Sequence, residues 1–113
     1  MSKPTPKPGA RVRGSSTGRP IMAALDLLGR RGALRILWEL REGDALTFRE
    51  LAERAELSPA TLNTRLAELR EAAIVAQDAG YTLTASGQAL VEAFAPLQAW
   101  AQDWQRALAR RAR

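Results

Sequence analysis

The chain has 113 residues, 46% apolar but only 5% aromatic, which suits one small, aliphatic, helix-rich domain. It holds neither cysteine nor histidine. Disulfides, thiol redox sensing, zinc sites and Cys–His or Ser–His nucleophiles are thereby excluded, and the scattered acids make no paired-carboxylate constellation of an enzyme. The formal net charge of +5 lies entirely in the first 19 residues, which carry five basic and no acidic side chains, while the rest carries twelve of each.

Residues 1–19 are rich in Pro, Gly, Ser, Thr, Lys and Arg, with almost nothing to bury, and read as a disordered basic arm ahead of a folded domain over 20–113. The opening MSKPTPKPG lacks the apolar stretch of a secretory signal, and no run approaches the ~18 apolar residues of a membrane span, so a cytoplasmic location is expected. IMAALDLL, from Ile21, predicts a first helix interrupted by Gly29 and Gly32. ALRILWEL (33–40) predicts a second helix, apolar over most of its circumference and deeply packed, ended by Glu42-Gly43-Asp44.

Two helix starts then follow in tandem. Thr47 with Glu50 makes a capping box, and Leu46 and Leu51 have the spacing of a hydrophobic staple. Ser58 caps the next helix, Pro59 sits in its first turn, and Leu57 with Leu62 repeats the staple. The result is a helix-turn-helix with helices at about 47–55 and 58–72. Its buried stripe pairs Leu51, Ala52 and Ala55 with Leu62, Leu66 and Leu69. Ile74–Gln77 and Tyr81–Thr84 flank Asp78-Ala79-Gly80 as a tight β-hairpin.

Thr84 caps a final helical segment reaching about Ala112, which Pro96 should kink or restart. Within it Leu90, Phe94, Leu97, Ala101, Trp104 and Leu108 repeat as a helix–helix seam, with Trp100 beside it. The seam either closes onto the first helix or joins two chains. A body this small has little core to absorb two Trp and a Phe, so a homodimer through Leu90, Phe94, Leu97, Trp100, Trp104 and Leu108 is expected.

Helix–helix–helix-turn-helix–hairpin–helix is the order of a winged helix: mainly α, with a small β-hairpin and a long C-terminal dimerisation helix. The chain resembles the HxlR-type winged-helix transcriptional regulators, relatives of the MarR type, from about Leu25 to Trp104. The resemblance rests on Leu27-Leu28-Gly29, Phe48-Arg49-Glu50-Leu51, Leu57-Ser58, Leu62-Asn63-Thr64-Arg65-Leu66, Tyr81-Thr82-Leu83-Thr84 with Gly87, and the Leu97 to Trp100 spacing. It implies a dimeric DNA-binding regulator that reads the major groove with the second helix of the motif and touches flanking DNA with the wing. The chain departs from that pattern in lacking the family's N-terminal cysteine and in having Arg30-Arg31-Gly32 where Gly-Lys-Trp is usual. Glu56 and Ala73 stand at turn positions usually held by Gly, and the wing tip, Asp78-Ala79-Gly80, is short and acidic, so it should add little.

With the three leucines inward, a step of about 100° per residue turns Ala60, Thr61 and Thr64 outward and leaves Asn63 and Arg65 on the shoulders. Arg65 can hold guanine and Asn63 adenine, while Thr61 and Thr64 suit phosphate or thymine methyl. The alternative for Arg65 is a solvated pair with Glu68. Ser58, at a helix N-terminus, and Arg49 are expected on the DNA backbone. The expected function is a sequence-specific DNA-binding regulator, a repressor acting as a homodimer on double-stranded DNA, with no cofactor or metal. The other reading is a winged-helix module that binds protein, which the neutral body and acidic wing tip favour. A small-molecule effector is compatible with the sequence but not legible in it.

Overall fold

The computed structural model describes residues 4–9 and 19–112. Glycine sets the first corner. Helix α1 (Pro20–Leu28) starts on a proline and ends at Gly29, and Gly32 takes a left-handed φ of 87° to begin α2 (Ala33–Glu39). A Cβ on Gly32 would also meet the tip of the Leu57 side chain, which can give way, so it is the left-handed backbone that asks for glycine there. Helix α2 is packed on one face rather than around its apolar circumference: Ala33, Ile36 and Leu37 have no solvent exposure, whereas Leu34 and Trp38 are exposed.

Helix α3 (Phe48–Ala55) opens with the expected capping box. Glu50 N–H donates to Thr47 Oγ1 at 3.1 Å, and Thr47 N–H donates to Glu50 Oε1 at 2.9 Å. The Thr47 backbone N–H, and its side chain after it, favour the ionised form and hold the Glu50 carboxyl below its ordinary range. Helix α4 (Pro59–Glu71) opens on Ser58, whose Oγ accepts from Thr61 N–H at 3.2 Å. Glu56 turns the chain between α3 and α4 at φ 55°, and Ala73 turns it after α4 at φ 61°. Both residues at turn positions usually held by Gly are left-handed. Leu62, Leu66 and Leu69 of α4 join Leu51, Ile36 and Leu37 in one core, with Ala52 partly buried at its edge.

Strands β1 (Val75–Gln77) and β2 (Tyr81–Leu83) pair antiparallel, Val75 opposite Leu83 and Gln77 opposite Tyr81. A third edge was not anticipated. Leu46, read as a staple residue, also bonds Tyr81 in both directions, at 3.1 and 2.7 Å, and so anchors the wing to the start of the helix-turn-helix.

The last segment divides where Pro96 said it would, into α5 (Ala85–Glu92) and α6 (Ala95–Arg111). Thr84 Oγ1 accepts from Gly87 N–H at 3.0 Å and reaches the carbonyls of Ala73 and Ile74, fixing α5 against the end of α4. The heptad seam divides with it. Leu90 and Phe94 are partly buried against the core, whereas Leu97, Trp100, Trp104 and Leu108 are exposed on α6, none of whose described residues is buried. Closure of the whole seam onto the first helix is therefore not what the chain does. No helix among the described residues is long and apolar enough to cross a membrane.

Candidate nucleic-acid interface

The inward leucines of α4 fix which side chains the helix offers to solvent. Ser58, Ala60 and Asn63 are exposed, and Thr61 and Thr64 are half-buried. The hydroxyls are already engaged along the helix: Ser58 Oγ donates to Thr61 Oγ1 at 3.1 Å, and Thr64 Oγ1 donates to the Ala60 carbonyl at 3.1 Å. The helix start therefore presents a compact polar rim with the N–H end of the helix behind it, which is favourable ground for phosphate. Arg49, near the start of α3, is 90% exposed and tied only by a 3.6 Å ion pair to Glu53.

Arg65 is placed differently from the others. Its side chain is only 17% exposed, and its Nε lies 2.8 Å from Glu68 Oε1. The two are close as charges but out of line as a hydrogen bond, since both atoms lack a hydrogen-bond partner. Glu68 is itself buried and shared, because Arg30 Nη1 also pairs with it, and Asp26 lies 3.8 Å from Arg30 Nη2. So the pairing first read as a solvated alternative is in fact part of a covered Asp26–Arg30–Glu68–Arg65 chain that ties α4 to α1. Arg30, at the Arg-Arg-Gly that replaces an aromatic anchor, occupies the buried centre of this chain.

Residues 4–9, part of the arm expected to be disordered, lie beside α4. Thr5 Oγ1 and Lys7 Nζ donate to the two carboxylate oxygens of Glu71, each at 2.8 Å, and Arg30 Nη2 donates to the Pro4 carbonyl at 2.6 Å. Lys7 first, and Thr5 after it, hold the Glu71 carboxyl below its ordinary range. Pro6 is buried and forms one wall of an apolar cavity of about 410 Å³, with Ala23, Leu27, Ile74 and Leu90 among the others. Residues 1–3 and 10–18 of the arm lie outside the described residues.

Sequence patterning does not single out Arg30 or Glu71. The available signals were Asp26 four residues before Arg30, and prolines at 4, 6 and 8 holding Thr5 and Lys7 in step. The wing tip is as the sequence suggests: Asp78 and Ala79 are exposed and present a carboxylate rather than a cation. Among the described residues, no group of three or more His, Cys, Asp or Glu side chains is arranged to hold a metal ion.

Residues 33–75, which run from α2 through the helix-turn-helix to the first wing strand, match the family described as winged helix-turn-helix DNA-binding. Among solved structures, quinone-bound YodB from Bacillus subtilis is 36% identical over 74% of this chain and 96% of its own, with a TM-score of 0.69. The chain belongs to the winged helix-turn-helix DNA-binding family. Two further members of this fold are similar to it. Reduced HlyU from Vibrio cholerae is 31% identical over 66% of this chain and 83% of its own, with a TM-score of 0.54. The MarR family protein Rv2887 of Mycobacterium tuberculosis is 29% identical over 80% and 81%, with a TM-score of 0.54. No curated protein sequence matches the chain significantly. Within this winged helix-turn-helix family the chain is a DNA-binding transcription regulator rather than an enzyme.

Proposed function

We propose that the chain is a sequence-specific repressor of the HxlR type, acting in the cytoplasm as a homodimer on a palindrome-like operator. The carrying observation is the division of α4, with Leu62, Leu66 and Leu69 buried and Ser58, Ala60 and Asn63 exposed at the same helix start. A recognition helix needs that division, because its first turns must reach base edges while its rear face holds the fold. Ser58, Thr61 and Thr64 serve phosphate and thymine methyl, Asn63 reads adenine, Ala60 permits close approach, and Arg49 rests on the backbone. Arg65 reads guanine by leaving Glu68, whose charge Arg30 continues to balance.

The exposed stripe Leu97–Trp100–Trp104–Leu108 supports a dimer, as do Ile21 and Leu25 of α1, both more than half exposed. Two copies joined there would present two α4 helices to successive turns of the groove. The exposed carboxylate of Asp78 at the wing tip favours the other reading, a module that binds protein. Selection of bound sequences from a random duplex library, followed by a salt titration of the winner, separates them. Recovery of a palindromic consensus with a steep salt slope is expected; enrichment of no sequence together with loss of all binding on deleting residues 1–19 would leave only a non-specific arm.

A further inference from the structure

Glu71 poses a problem for a DNA-reading helix. It stands seven residues after Thr64, two turns along the same outward face of α4, so its carboxylate points toward the side a duplex would occupy. A bare carboxylate there repels phosphate. In this chain it is not bare, because both of its oxygens accept hydrogen bonds from the N-terminal segment.

We infer that residues 4–9 are a built part of the DNA-binding surface: a strap that lies beside the recognition helix and cancels the Glu71 carboxylate. The inference rests on the reading of α4 as the helix that enters DNA. Four anchors hold the strap side by side. The Pro4 carbonyl accepts from Arg30, Thr5 and Lys7 donate to Glu71, and Pro6 is buried. In an extended segment residues i and i+2 share a face, which is why Thr5 and Lys7 meet one carboxylate while Pro6 turns the other way. Prolines at 4, 6 and 8 keep the segment extended before it docks, so little chain entropy is lost in ordering it. An exposed Lys–Glu pair alone is worth little, and the anchoring comes from the combination.

The strap lies beside α4 and leaves its outward face open. Ala60, Asn63 and Ala67 remain exposed, and a groove of about 650 Å³ separates Pro4 and Thr5 from Asn63, Thr64 and Ala67. It is a flank to the helix, in position to follow one sugar–phosphate ridge. Lys7 spends its charge on Glu71.

Binding of the full chain to a random-sequence duplex at low salt, in a cycle of Lys7→Gln, Glu71→Gln and the double variant, tests this. Lys7→Gln is expected to weaken binding about three- to fivefold by uncovering the carboxylate. Glu71→Gln should bind as well as the parent or better, and the double variant should return to within about twofold of the parent. A double variant as weak as Lys7→Gln would mean that Lys7 touches phosphate directly and would overturn the strap. Tighter binding by both single variants would make the segment a lid, and would also overturn it. Backbone NMR relaxation of the free protein gives a readout without DNA: the Thr5 and Lys7 amides should be ordered in the parent and loosened by Glu71→Gln. Amides as mobile in the parent as in an unfolded peptide overturn the docking itself. A parent that ignored the duplex while those amides stayed ordered would instead overturn the DNA reading of α4.

Discussion

Arg65 has two partners available, and the balance between them sets what the residue is for. Its guanidinium is covered and paired with Glu68, but Glu68 is also held by Arg30 from the turn after α1. Removing Arg65 therefore leaves Glu68 compensated, whereas removing Arg30 takes away the cation at the covered centre of the network. Arg30→Met is expected to cost about 3–5 kcal/mol in urea unfolding, and Arg65→Ala much less. Arg65→Ala should nevertheless weaken a selected operator by about 1–3 kcal/mol while sparing random duplex, and equal losses on both would make it a structural residue. At Ala73 the strain is in the backbone: a Cβ at φ 61° is crowded against the carbonyl. Ala73→Gly should raise stability by about 0.5–1 kcal/mol in the same assay, against the usual direction of glycine substitutions. The outward Ala60 was legible from helical periodicity, since the leucine stripe fixes the rotation of the helix, but Thr61 and Thr64, also expected outward, are half-buried and Asn63, expected on the shoulder, is exposed. The burial of Glu68 was not legible, because the carboxylate is covered by Arg30 from a turn 38 residues away in sequence. No periodicity within α4 encodes that contact.

At the level of elements, the boundaries were legible wherever a helix end carries its own chemistry. Thr47, Ser58 and Thr84 each accept the N–H three residues on, and Pro96 lies just inside the start of α6. The pairing of Leu46 with Tyr81 was hidden, since a single bridging residue gives no alternating pattern. The docking of residues 4–9 was hidden for the opposite reason: composition argues for disorder, while the three prolines lower the entropy that disorder would keep. The capping box also carries a pH dependence of known sign. The Glu50 carboxyl is held below its ordinary value of 4.5 by the Thr47 N–H and hydroxyl, so the folded state prefers the ion more than the unfolded state does. Its contribution is present above the unfolded value and is lost as pH falls through the folded one. Thermal melting followed from about pH 6 to about pH 3 should show a fall in Tm for the parent, and a shallower fall for Glu50→Gln. Identical slopes would mean that the box is open in solution.

The whole molecule has a body with a closed core and a C-terminal helix that shares none of it. Among the described residues, the largest fully buried side chains lie between Ile36 and Leu69. Helix α6 is 17 residues long, with Trp100 and Trp104 stacked at 5.3 Å and flanked by Leu97 and Leu108, each about half exposed. An isolated helix of that length is marginal in water, and nothing in its own subunit buries this stripe. A second copy would cover it, and α1 adds exposed Ile21 and Leu25 to the same requirement. If so, the order of α6 and the association of two chains are one equilibrium, and stability must depend on protein concentration. The Tm of the parent should rise with concentration, and sedimentation should give a dimer. Trp104→Ala, or Leu97→Asp, should sediment as a monomer, lose helical circular dichroism and show a Tm independent of concentration. The core around α2 and α4 should survive in both variants, because neither residue touches it. A variant that stays dimeric would move the interface off α6. One that becomes monomeric yet keeps operator affinity would detach DNA reading from the two-fold arrangement, since two weakly held half-sites gain their affinity from being linked.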